Sequence, residues 1–216
     1  MVRRTKAETK QTRLEIIAAA RRVFAERGVS HTTLADIAKE AGVTRGAIYW
    51  HFKNKPDLFF AMMEQVSVPL VDIIDENLPV QSPGDPLRNI QASMVEILRL
   101  LREDEVARTT FEIINSKCEY VNEFSQLDNR ITRTGCAYIG KLTGAYENAL
   151  RKGLLRPGAD PGQYALDSYL FMKGLINVWL ADIDGSIIRD KAEALIESHI
   201  SMRYKSPSGG NDPAPA

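Results

Sequence analysis

The sequence predicts an all-α protein with a small helical head over residues 1–54 and a larger helical body over residues 55–205. Three observations carry this reading. Apolar residues recur at helical spacing: Ile16, Ala20, Val23 and Phe24 stand at i, i+4, i+7 and i+8. Breakers fall in short clusters between long periodic stretches, as in 79–86 (PVQSPGDP) and 157–162. No segment alternates as a half-buried strand would. The 216 residues are 44% hydrophobic and 26% charged, which supplies a core and excludes a globally disordered chain.

The elements follow in order. The first helix ends at Gly28, directly after Arg27. A short helix is expected from Leu34 to Glu40, with Thr33 as N-cap and Asp36 as the capping-box acid. Gly42 marks a tight turn, and a second short helix runs from about Thr44 to His51. Asn54 caps a longer helix that tolerates Pro56 in its first turn. After the 79–86 breaker, helices are expected over 87–102, 106–119 and about 122–152. Gly153 and 157–162 interrupt again before helices at 163–181 and 189–204. The tail 206–216, rich in Ser, Pro, Gly, Asn and Ala, is expected to be disordered.

Charge is distributed unevenly. Residues 1–55 hold twelve Lys and Arg and five Asp and Glu, a net of +7; the rest holds sixteen and twenty-three, a net of −7. A basic head on an acidic body points to a polyanion partner for the head alone. No run of eighteen apolar residues is present, so no membrane span is expected. Residues 1–10 contain no apolar core of a secretory signal, and Cys118 and Cys136 cannot build a disulfide framework. The expected compartment is the reducing cytoplasm.

The informative stretch is 33–58, TLADIAKEAGVTRGAIYWHFKNKPDL. Small Ala38, Ala41 and Ala47 let two helices cross closely, and Gly42 permits a left-handed turn between them. This is the pattern of a helix-turn-helix whose second helix enters the major groove of DNA. Thr33 and Thr44 can cap helices and reach phosphate. Arg45, at the N-terminal end, can read guanine O6 and N7 with its fork of donors. Gly46 lets the backbone approach closely. Tyr49, Trp50 and His51 can meet phosphate or a thymine methyl. Lys53 and Lys55 flank the next helix start, itself favourable to phosphate. Singly, each has an ordinary explanation as a packing aromatic or a solvated charge. Their joint occurrence in a +7 head makes the DNA-binding reading.

At these residues the chain resembles the TetR family of bacterial transcriptional regulators. The matching string runs Thr33-Leu34-x-x-Ile37-Ala38-x-x-Ala41-Gly42-Val43-Thr44-x-Gly46-Ala47-x-Tyr49-x-His51-Phe52-x-Asn54-Lys55-x-x-Leu58, preceded by Ile16-x-x-Ala19-Ala20-x-x-x-Phe24-x-x-x-Gly28. Within the family it looks most like the AcrR-type repressors of multidrug efflux operons, through Val2-Arg3-Arg4-Thr5-Lys6, Val43 to Phe52, Lys117-Cys118-Glu119-Tyr120 and Gly174-Leu175-Ile176. The resemblance implies about nine helices. The first three would bind DNA, and the rest would bind a ligand and dimerise through the last two. It also implies repression of a promoter, relieved by a small hydrophobic or phenolic inducer.

A dimer is also required physically, because one recognition helix reads too little sequence, whereas two read a pseudo-palindrome. Leu166, Leu170, Trp179, Leu195 and His199 are the expected seam residues, the alternative being closure of the chain's own core. Following family geometry, the expected inducer pocket draws on Met63, Val66, Met94, Leu98, Phe111, Ile114, Asn115, Cys118, Cys136, Ile139, Tyr169, Met172 and Lys173. Flexible Met suits varied ligands. Lys173 reads either as a surface or interface lysine or as a pocket cation, and no partnering acid for a cationic drug stands out. No cofactor or metal is expected. The three histidines His31, His51 and His199 are far apart, and no catalytic motif for an enzyme is present. A redox pair of Cys118 and Cys136 is the less favoured rival to two inert thiols.

Overall fold

The computed structural model describes residues 6–79, 84–119, 124 and 127–205, with side chains from Gly135 onward in the last stretch. The basic pair Arg3 and Arg4, Tyr120, the start of the 122–152 helix and the tail 206–216 lie outside the described residues. Among the described residues there are nine α-helices: α1 Lys6–Arg27, α2 Leu34–Glu40, α3 Arg45–His51, α4 Lys55–Asn77, α5 Pro86–Glu103, α6 Glu105–Glu112, α7 Leu127–Arg151, α8 Pro161–Ala181 and α9 Ala192–Ser201. The chain divides into two compact units. One holds the residues up to Asp72 together with Leu98–Thr134, and the other holds Ile73–Ile97 and everything from Gly135 on.

In the first unit, α1 buries Ile16, Ile17, Ala19, Ala20, Val23 and Phe24 along one side. It stops where Gly28 takes φ +81°, with the Gly28 N–H bonded to the Phe24 carbonyl at 2.9 Å. The helix expected over 106–119 is shorter than its pattern. It is α-helical only to Glu112, and Ile113–Lys117 forms a wider π turn that Cys118 leaves in extended conformation. That turn ends at the loop after α1: the Val29 N–H donates to the Lys117 carbonyl at 2.8 Å. Arg21 is buried in α1 and binds α6 through Nε to Thr110 Oγ1 at 3.0 Å, and α4 through its guanidinium to Gln65. Burial lowers its pKa, but a guanidinium stays charged, and both acceptors are neutral.

In the second unit, α7, α8 and α9 bury Leu142, Tyr146, Ala165, Met172, Trp179, Ile196 and Ile200. Asp160 caps α8 by accepting the Gly162 and Gln163 N–H groups at 2.8 and 3.3 Å. Buried Asp182 folds the α8–α9 loop, accepting N–H bonds from Ile187, Ile188 and Arg189. An isolated bridge pairs Leu155 with Tyr204, where only helix and loop were expected.

A polar chain runs through this core. The Tyr146 hydroxyl meets Ser168 Oγ at 2.7 Å, and Ser168 Oγ meets His199 Nε2 at 3.0 Å. Phe171 stacks on the imidazole with 4.1 Å between centroids. Burial first, and then neighbouring Arg203, push the His199 pKa down to about 4, with Asp167 opposing. The unfolded chain therefore takes the proton first, and stability falls as pH drops from about 6.5 to about 4. The effect is of order 2–3 kcal/mol. Thermal denaturation across that range should show a Tm that falls more steeply in the wild type than in His199→Gln. Parallel slopes would remove His199 as the cause.

Candidate nucleic-acid interface

The head is built on caps. The Thr33 hydroxyl accepts the Asp36 N–H at 3.2 Å while Asp36 accepts the Thr33 N–H at 2.9 Å, closing a capping box at α2. The same hydrogen-bonded pair holds the Asp36 carboxyl below its usual range. Gly42 turns the chain at φ +66°, and the Val43 N–H returns to the Ala38 carbonyl at 3.0 Å. Thr44 caps α3 by accepting the Ala47 N–H at 3.2 Å. The inward side of the pair buries Ile37, Ala38, Ile48 and Phe52 against Phe24, Leu58 and Phe59 of α1 and α4. The Phe24 and Phe59 rings lie 5.9 Å apart, and the Arg13 guanidinium sits 4.9 Å over Phe52.

What remains outside is the predicted recognition surface. Thr44, Arg45 and Gly46 are exposed, as are Tyr49 at 55% and Trp50 at 70%. His51 is half-buried, with its ring edge-on to Trp50. A Cβ on Gly46 would meet nothing in the chain nearer than 3.9 Å. The protein's own packing therefore does not require glycine there. Two large exposed aromatics beside an arginine at a helix start suit phosphates and base edges, not a core.

Lys53 and Lys55 divide. Lys53 is exposed. The Lys55 ammonium turns inward, donating to the Val29 carbonyl at 2.9 Å and the Thr32 carbonyl at 3.0 Å, and it lies 5.4 Å over the Phe124 ring. This corrects the expectation of a phosphate contact. Two carbonyls of the α1–α2 loop, those of Val29 and Thr32, hold the ammonium in place of solvent. The correction has a stability consequence. Lys55→Met should cost about 1–2 kcal/mol and lower Tm, because it removes both ammonium bonds to the loop carbonyls. Lys53→Met should leave Tm unchanged and weaken DNA binding alone. Equal Tm for the two variants would refute the clamp.

The seam and pocket expectations also sort by burial. Trp179 at 2% exposure and His199 at 6% belong to the chain's own core, so they are corrected as seam residues. Leu166, Leu170 and Leu195 are exposed at 48%, 57% and 40%, with Val178 and Met202 also outside. The pocket set divides between the two units. Met63, Val66, Leu98, Phe111, Ile114, Asn115 and Cys118 fall in the first; Met94, Cys136, Ile139, Tyr169, Met172 and Lys173 fall in the second. Cys136 and Lys173 are exposed, which corrects them as enclosed wall residues and makes Lys173 a surface lysine. Val66, Met94, Leu98 and Met172 are buried, and the others are half-buried. Burial pushes the Cys118 thiol up to about 11, so it is a protonated, poorly reactive thiol. The described residues hold no cluster of three His, Cys, Asp or Glu fit for a metal, and no helix long and apolar enough to cross a membrane.

Comparison with known proteins agrees with this architecture. Residues 16–62 match the model of the bacterial regulatory proteins of the tetR family, and residues 85–205 match that of the C-terminal region of MAATS-type transcriptional repressors. The regulator TtgR of Pseudomonas putida is 35% identical over 208 residues, covering 96% of this chain and 99% of its own. The crystal structure of NalD, the secondary repressor of the MexAB-OprM multidrug efflux pump in Pseudomonas aeruginosa, is similar with a TM-score of 0.81 and 32% identity. It covers 93% of this chain and all of its own. A SmeT–triclosan complex is similar with a TM-score of 0.78 and 28% identity, over 95% of this chain and 99% of its own. A helix-turn-helix head with a bare recognition face, joined to a body that matches the repressor model, makes this chain a member of the TetR family of bacterial transcriptional regulators.

Proposed function

We propose that this regulator is a cytoplasmic homodimeric repressor of a multidrug efflux operon, released from a pseudo-palindromic operator by small hydrophobic or phenolic inducers. The observation that carries the DNA-reading part is the α3 surface. Arg45, Gly46, Tyr49 and Trp50 stand outside a head whose buried core includes none of them. The efflux and inducer parts are supported by likeness to NalD and to SmeT, whose printed descriptions name a pump and triclosan.

Dimerisation is supported by the bare face of the last two helices. Leu166, Leu170 and Val178 of α8 and Leu195 and Met202 of α9 are large apolar side chains left in solvent. Gly174 lies among them, and a Cβ there would meet nothing within 4 Å, so a second backbone can approach closely. Two copies then present two α3 helices about one DNA turn apart.

Release acts through elements that are tied to the head. Helix α4 begins beside the recognition helix and is continuous from the first unit into the second. The π turn that carries Ile114 and Asn115 ends on the carbonyl that binds Val29. A ligand favouring one setting of these elements over another changes how the head is presented. Linkage then requires operator to weaken ligand binding by the same factor.

The test is fluorescence anisotropy on DNA from just upstream of the chain's own gene, against scrambled DNA at matched salt. The upstream duplex should bind at least a hundredfold tighter. Arg45→Ala should erase most of that preference, since a bidentate base contact is worth about 1–3 kcal/mol in each half-site. Equal binding of both DNAs by the wild type, or full preference retained in Arg45→Ala, would contradict the reading. Titration of hydrophobic phenols, beginning with triclosan, then reads release.

A further inference from the structure

We infer that Arg21 is the positioning residue that couples α6 to the operator-reading head: its guanidinium, held between Thr110 of α6 and Gln65 of α4, carries a shift of those helices to α1, on which α2 and α3 are packed. The inference rests on the regulator reading above and names the side chain through which its regulation passes. All three residues lie in the first unit.

Arg21 is a poor choice for a purely structural place. It is 8% exposed, and both of its acceptors are neutral. Burial is the main influence on the guanidinium, opposed only by the charge of Asp104, the N-cap of α6. A well-packed apolar side chain of similar volume is often neutral or stabilising at such a place. What an apolar side chain cannot do is hold one acceptor from each of two helices.

The two bonds are directional. Nε donates to Thr110 Oγ1 at 3.0 Å, and Nη2 donates to the Gln65 side-chain oxygen. These two nitrogens share one edge of a rigid plane, so both bonds form only when the two oxygens stand side by side. Thr110 is fully buried and gives its own hydrogen to the Val106 carbonyl at 2.7 Å, which fixes its oxygen as the acceptor. A slide of α4 past α6 separates the oxygens and breaks one bond.

The place on α1 matters as much. The turns around Arg21 bury Ala20, Val23 and Phe24 in one cluster with Ile37 of α2 and Ile48 of α3. Eight residues beyond Arg21, the Val29 N–H bonds the Lys117 carbonyl at the end of the π turn that follows α6. The segment 105–117 therefore holds the end of α1 at two points, one through a side chain and one through backbone. The side-chain point also reaches α4.

The experiment reads the coupling from the operator side and needs no inducer, because linkage makes operator act on the segment that acts on the head. Hydrogen–deuterium exchange of residues 105–117 is followed in the full-length protein, free and saturated with the upstream duplex. Operator should slow that exchange about fivefold or more in the wild type. Arg21→Met should retain duplex binding and cut the slowing below about twofold. Gln65→Met keeps the charge and the Thr110 bond, gives up only a half-buried acceptor, and should lose part of the slowing. Thermal melts separate coupling from folding. Arg21→Met should leave Tm unchanged or raise it, since Thr110 keeps its bond to Val106, whereas Thr110→Val should lower Tm by stranding the buried Nε. Four results would each overturn the assignment: no slowing in a wild type that binds the duplex, full slowing in both Arg21→Met and Gln65→Met, loss of duplex binding in Arg21→Met, or a Tm loss in Arg21→Met equal to that of Thr110→Val. Full slowing in the variants would leave the Val29–Lys117 bond as the carrier. Failure of the regulator reading shows differently, as a wild type that does not distinguish the upstream duplex from scrambled DNA.

Discussion

Two seven-residue helices cannot hold themselves in water, and the rest of this structure answers to that constraint. Helices α2 and α3 exist because Ile37, Ala38, Ile48 and Phe52 are buried against α1 and the start of α4. Their ends are stopped by Thr33, Gly42 and Thr44, and the α1–α2 loop is clamped by the Lys55 ammonium. The orientation of the exposed α3 side chains is therefore a property of the packing beneath them.

The loop at Val29 is tied by a backbone bond to Lys117, at the end of a π turn. A π turn spaces its hydrogen bonds one residue wider than an α-helix and is often found at functional positions. Arg21 adds a second tie, joining α1 to α4 and α6 through neutral acceptors inside the same unit. Removing a partner from a buried guanidinium is expensive, so these contacts resist separation of the three helices. In the other unit a buried phenol, Tyr146, is locked into a chain with Ser168 and His199.

Much of the head was legible in sequence because its signals are local. Thr33 with Asp36, Gly42, Thr44 and Asn54 each act within three or four residues, where spacing carries the physics. The role of Lys55 was not legible, because its acceptors are backbone carbonyls more than twenty residues away, and every residue has a carbonyl. The division of α8 and α9 between core and surface was half legible for a different reason. Helix α8 is apolar on two sides, and periodicity marks both without saying which one closes the chain's own core. Trp179 and His199 went inward, and Leu166, Leu170 and Leu195 stayed outside. The π turn breaks the period that predicted a helix through Glu119.

The central claim is that two copies of this chain place two recognition helices on one face of an operator. Hydroxyl-radical footprinting of the upstream duplex tests it most directly. The account predicts two protected patches related by a dyad, with centres about one helical turn apart, roughly 10–11 base pairs or slightly more. A single protected patch, or protection with no dyad, would contradict it.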